Sequence, residues 1–149
     1  MTFSYKYQRI VDIREVQQKA VELEVHEARI QLSAVELSKQ EIIEDLHTLY
    51  NEKEQKQLIG IRVQELQNYE AYQLYVSNKL KVTQNSSDQL KNQLVLKEER
   101  LLTVSQETKK WDRLKENAYA THSEHQKQLE QKALDELTTT RFQLSGGMK

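Results

Sequence analysis

One internal residue of this chain is free to reverse it. Among its 149 residues there is no proline, and the glycines are Gly60, Gly146 and Gly147. Tight turns draw on glycine and proline because those residues adopt, at little steric cost, backbone angles that others resist. A chain with a single internal Gly has room for one sharp reversal, which excludes sandwiches, barrels and βα repeats. Whatever regular structure forms must be long.

The periodicity says which structure it is. Val21, Ala28, Val35, Ile42 and Leu49 recur every seventh residue, and Val25, Leu32, Lys39 and Leu46 form the companion row. Two apolar positions per heptad are the narrow seam of a coiled coil, not the broader stripe of a globular helix. Upstream, Ile10, Ile13, Val16 and Ala20 continue an apolar face in a shifted register, so the seam is expected to drift around the helix there. A first helix is predicted over about residues 5–57.

Gly60 marks the reversal. Beyond it Leu66, Tyr69, Tyr72, Val76 and Leu80 recur at spacings of three and four, which predicts a short helix within a turn region of about residues 58–82. The run Thr83, Gln84, Asn85, Ser86, Ser87 and Asp88 is polar throughout. Ser86 and Gln89 have capping-box spacing, so a break is expected there and a second long helix over about residues 88–142. Leu90, Leu94, Leu101, Val104, Trp111 and Ala118 resume the seam, which then shifts to Leu129, Ala133 and Leu137.

The fold class expected is all-α, a long antiparallel two-helix coiled-coil hairpin forming a single domain. Two helices of about 80 Å each would match in length. An unbroken second helix from Val63 would instead overhang its partner by about 25 residues and need another molecule to cover it. Such a hairpin is expected to be monomeric when free.

Few residues carry chemistry. The absence of cysteine removes disulfides and thiolate sites and fits a reducing compartment. No apolar run reaches the length of a membrane span, and MTFSYKYQRI lacks the core of a secretory signal, so a cytoplasmic location is expected. A net charge of −1 offers no general attraction for nucleic acid. Lys109, Lys110, Arg113 and Lys115 around Trp111 are diluted by Glu107, Asp112 and Glu116 and read as a solvated, ion-paired face. His122 and His125 stand one helical turn apart without an evident third ligand, so no metal is expected. Carboxylate pairs such as Glu98 with Glu99 read as solvated faces, since retuning them for catalysis requires a walled cleft. No catalytic residue and no cofactor site is assigned, and an enzyme is not expected.

The tyrosines admit two readings, packing at the hairpin tip or a protein-docking surface. Phe3, Tyr5 and Tyr7 gather at the start of the first helix, where isolated helices fray, and hint at contact.

The opening FSYKYQRIVDIRE, the link GIRVQELQNYEAYQLYV and the closing QKALDEL resemble stretches of the FliJ family of bacterial flagellar type III export, in the same order along nearly the whole chain. The resemblance implies a stalk-like hairpin without ATPase activity of its own. It implies as partners the hexameric export ATPase FliI, the export gate protein FlhA and flagellar export chaperones, at the inner face of the cell membrane by the flagellar base. Tyr72 and Val76 match the family's gate-binding positions, with Tyr69 on the same face and Ile42 and Leu46 adjoining. Tyr5, Arg9, Ile10 and Ile13, with Leu134, Leu137 and Arg141 opposite, are the candidate ring contacts. The rival reading is a freestanding dimeric coiled-coil adaptor or holding chaperone without an ATPase partner.

Overall fold

The computed structural model describes residues 2–147. Two helices account for nearly all of them, α1 (Gln8–Ile59) and α2 (Val63–Gly147), packed against each other as a helical hairpin with no strand among the described residues. They cluster into two compact units, Met1–Gln18 with Thr103–Lys149, and Lys19–Leu102.

The reversal falls at the glycine. The Gly60 amide donates to the Lys56 carbonyl at 3.0 Å, closing the last turn of α1, and Gly60 takes a φ of 113°. No described residue other than glycine has a positive φ. An L side chain resists that region because its Cβ crowds the adjacent carbonyl. Space is not the constraint, since a Cβ placed on Gly60 would meet nothing within 4 Å.

Along α1 one seam keeps a seven-residue period from Val11 to Lys53, with every member buried or half-buried. The expected drift upstream of Val21 does not occur. Val11, Arg14 and Gln18 extend the register, while Ile13, Val16 and Ala20 are exposed and Ile10 is half-buried. Arg14 and Gln18 hold seam positions that a count of apolar residues passes over, because their aliphatic stems can lie on the partner helix while their polar ends reach water.

The larger correction concerns residues 83–88. The expected short helix and break are absent, and α2 runs unbroken from Val63. Thr83 and Ser87 lie one turn apart on the side of α2 that faces α1. The Thr83 hydroxyl donates to its own helix at the Lys79 carbonyl, 2.9 Å away. Ser87 is fully buried and its hydroxyl donates to the carboxylate of Glu36 on α1. Gln84 donates to Asp88 one turn on, at 3.0 Å. Polarity interrupts the apolar stripe without interrupting the backbone, and the Thr83 and Ser87 hydroxyls both find acceptors.

In the unit Lys19–Leu102, ion pairs flank the seam. Arg29 meets Glu98 at 3.1 Å, Lys91 meets Glu36 at 3.2 Å, Arg100 meets Glu24 at 3.6 Å and Lys53 meets Glu70 at 3.7 Å. As the α1 index rises the α2 index falls, which is antiparallel packing. Each exposed pair contributes well under about 1 kcal/mol, so these charges select the register more than they add stability. Gln73 is less well served. It is buried, its side-chain oxygen accepts from Lys53 at 3.4 Å, and its side-chain nitrogen has no partner.

In the unit Met1–Gln18 with Thr103–Lys149, buried Thr108 ties the two helices together. Its hydroxyl lies 3.0 Å from the Val104 carbonyl of α2 and 3.4 Å from the Arg14 carbonyl of α1. Burial on α2 ends at Gln126, and every residue from Lys127 to Gly146 is exposed. The shifted seam at Leu129, Ala133 and Leu137 therefore faces no partner. That overhang follows from the unbroken helix, since α1 has 52 residues and α2 has 85.

Two outcomes test this account. Gly60→Ala should lower stability by about 1–2 kcal/mol, seen as a fall of several degrees in Tm by circular dichroism. The second concerns Glu36, whose carboxyl is held below its ordinary value of 4.5, first by the Ser87 hydroxyl and then by Lys91. A depressed carboxylate pKa stabilises the fold above the unfolded value, and that contribution is lost as pH falls through the folded value. Glu36→Gln should therefore melt lower at neutral pH, and its deficit should shrink as pH drops below 4.5.

Candidate interaction surfaces

The expected gate-binding residues lie in the unit Lys19–Leu102 and divide by burial. Ile42 and Val76 are buried and Leu46 is half-buried, all three inside the seam. Tyr69 is half-buried and Tyr72 is 53% exposed. Of this set Tyr72 is available to a partner, and it stacks on exposed Tyr75 with ring centroids 6.2 Å apart. Tyr75 was not among the expected contacts, because it lies off the apolar row.

Tyr69 has a second neighbour. The Lys56 ammonium lies 5.1 Å from its ring centroid, and the Tyr69 hydroxyl raises the lysine pKa above 10.5, chiefly by hydrogen bonding. A groove of about 290 Å³ runs here between Leu49, Lys56, Glu65, Asn68, Tyr69 and Tyr72. It is open along its length and at the lower limit of small-molecule pockets, so it suits a protein side chain better than an enclosed substrate.

The expected ring contacts lie in the other unit. Tyr5 and Ile10 are half-buried, and Arg9 and Ile13 are exposed. Leu134, Leu137 and Arg141 are exposed on the overhang and do not stand opposite them. Trp111, Tyr119 and His122 of α2 instead meet Phe3 and Tyr7. Residues 2–7 precede α1 as a non-helical segment. Phe3 meets Tyr119 edge-on and His122 tilted, each at 5.3 Å, and Tyr7 meets Trp111 at 6.1 Å. Tyr5 bridges the two, 6.5 Å from Phe3 and 5.8 Å from Tyr7. Aromatic pairs of this kind contribute about 0.5–1.5 kcal/mol each beyond the area they bury.

This array strings the segment along α2. The sequence hinted that Phe3, Tyr5 and Tyr7 make contact, and their partner is within the chain. One signal could have found it: Trp111, Ala118 and His122 continue the seam of α2 past the point where α1 begins. His122 spends its ring on Phe3, and no group of three or more metal-ligating side chains occurs among the described residues. Lys109, Lys110 and Arg113 are exposed beside an open groove that also includes Leu114. No described helix is long and apolar enough to cross a membrane.

An antiparallel helical hairpin with exposed aromatic and aliphatic side chains defines a class, that of two-helix coiled-coil proteins. Comparison with known proteins narrows it. The family model for the flagellar FliJ protein matches residues 3–147. A curated relative, the flagellar FliJ protein of Bacillus subtilis (strain 168), is 22% identical over 146 residues, covering 98% of this chain and 99% of the relative. No solved structure matches. The chain belongs to the FliJ family and is a flagellar export-associated protein.

Removing the central ring of the aromatic array should release the segment without unfolding the helices. Phe3→Ala is expected to speed tryptic cleavage at Lys6 and Arg9 severalfold while far-UV circular dichroism stays unchanged.

Proposed function

We propose that this protein is a non-enzymatic coupling element of flagellar type III export, binding the export ATPase ring through one unit and the export gate and export chaperones through the other. It acts in the cytoplasm, peripherally at the inner face of the cell membrane. The observation that carries the reading is the unpartnered end of α2, exposed from Lys127 to Gly146. Leu134, Leu137 and Phe142 are exposed on it. A helix alone gains little from its apolar side chains until another surface covers them.

The ring surface is then formed by Leu134, Leu137 and Arg141 with the exposed Arg9 and Ile13, while Tyr5 and Ile10 support it from the side of the aromatic array. The gate surface is Tyr72 with Tyr75, supported by Tyr69 and by the buried pair Ile42 and Val76 with Leu46 beside them. Coupling requires that the hairpin bind some conformations of the ring better than others, since a ligand shifts an equilibrium only by its difference in affinity. The protein is monomeric when free, because its seam is already filled from within.

Hydrolysis by a purified export ATPase should rise on adding this protein, and Leu134→Asp with Leu137→Asp should abolish the rise. Tyr72→Glu should leave that stimulation intact and weaken binding to the gate's soluble domain by about tenfold or more, as for the loss of a central aromatic anchor. Absence of stimulation, together with a dimer by light scattering, would favour the freestanding adaptor.

A further inference from the structure

The seam changes character between Ile42 and Val76, the stretch that runs out to the Gly60 turn and back. In the unit Lys19–Leu102, Val21, Val25 and Ala28 are 3%, 2% and 4% exposed, and Ile42 and Val76 are 7% and 5% exposed. Among residues 43–75 the one buried residue is Gln73, and it is polar. Leu46, Leu49, Leu66 and Tyr69 are only half-buried. From this contrast we infer that residues 43–75 form an opening unit, in which the two arms part at Gln73 and stop at Ile42 and Val76 while the rest of the seam in that unit stays closed. The opening follows from the packing alone, and what binds the open arms rests on the gate reading above.

Polar groups decide the balance. The Gln73 side-chain nitrogen has no partner, and its oxygen accepts from Lys53 at 3.4 Å, a long contact. The Lys53 side chain is 18% exposed and meets Glu70 at 3.7 Å. A buried amide donor without an acceptor costs the desolvation of that group, and an ammonium covered this far gives up hydration for one distant carboxylate. Opening returns both to water. The other tie across the tip, Lys56 over the Tyr69 ring at 5.1 Å, is made by an exposed lysine and adds little. Beyond Ile42 and Val76 the buried polar residue is Ser87, whose hydroxyl is satisfied by Glu36. A half-satisfied polar contact thus sits on the turn side and a satisfied one on the other.

Neither arm persists as an isolated helix, so parted arms also lose backbone hydrogen bonds and the opening is visible as amide exchange. It frees the covered sides of Leu46 and Tyr69, next to Tyr72 and Tyr75, which are exposed already. The export gate then selects the open tip. Its apparent affinity scales with the fraction of molecules that are open, since only that fraction is competent to bind. Gln73 thereby sets how much of the protein is ready for the gate.

Hydrogen exchange read by mass spectrometry on the full-length protein tests this. Amides of residues 46–56 and 66–75 should exchange at least about tenfold faster than those of residues 21–28. Val25→Ala should speed exchange at 21–28 by about tenfold or more and leave the tip unchanged, because the tip opens with that part of the seam closed. Gln73→Met keeps the side-chain length and removes the amide, and should slow exchange at the tip by about tenfold. Gln73→Leu should act in the same direction, so a poor fit of one side chain does not decide the matter. Binding of Gln73→Met to the gate's soluble domain should weaken by the same factor as its exchange slows. Circular dichroism confirms that each variant is helical. The inference is overturned if Val25→Ala speeds the tip as much as residues 21–28, for then the tip opens only with the whole seam. It is equally overturned if both Gln73 variants leave exchange at the tip unchanged or faster. Slowed exchange with unchanged gate affinity would overturn selection of the open tip. If the parent protein does not bind the gate at all, the gate reading fails, and exchange still decides the opening.

Discussion

Mutual burial of two narrow stripes is the interaction on which everything else in this protein depends. Neither α1 nor α2 has a face broad enough to form a core alone, and neither would persist as an isolated helix in water. Each covers the seam of the other, and about two side chains per heptad must hold the pair. With so little core, polar seam residues matter more than they would in a globular domain. Ser87, Thr108 and Gln73 are all buried between the helices. The hydroxyls of the first two donate to a carboxylate and a backbone carbonyl, while Gln73 keeps one unpaired amide nitrogen.

A minimal core also explains why so much apolar surface remains outside. Leu23, Ile30 and Leu37 recur at seven-residue intervals on α1 and are all exposed. The turn, the Tyr72–Tyr75 pair and the end of α2 add further exposed groups. Scattered apolar residues on a surface are ordinary, but contiguous ones mark places of contact.

The aromatic array shows how the chain manages an end. Helix termini fray when their first turns have nothing to pack on. Here a non-helical segment folds along the partner helix, and Phe3, Tyr5 and Tyr7 share the work with Trp111, Tyr119 and His122. Trp111, already expected in the seam, and His122 both serve packing here.

Local information in the chain was enough for the two helices, the single reversal at Gly60 and the seam from Val21 to Leu49. Heptad spacing and the steric privilege of glycine act over a few residues and need no knowledge of distant neighbours. The continuity of α2 through residues 83–88 was not legible in this way. Ser87, which locally reads as a cap, instead donates a hydrogen bond to Glu36, 51 positions away. The same holds for the candidate surfaces. Spacing placed Tyr69, Tyr72 and Val76 on one face and the family resemblance set Ile42 beside them, but which of them a partner can touch depends on which side of α2 meets α1. Exposure belongs to the pair of helices, because a side chain is buried only by what a remote part of the chain lays over it.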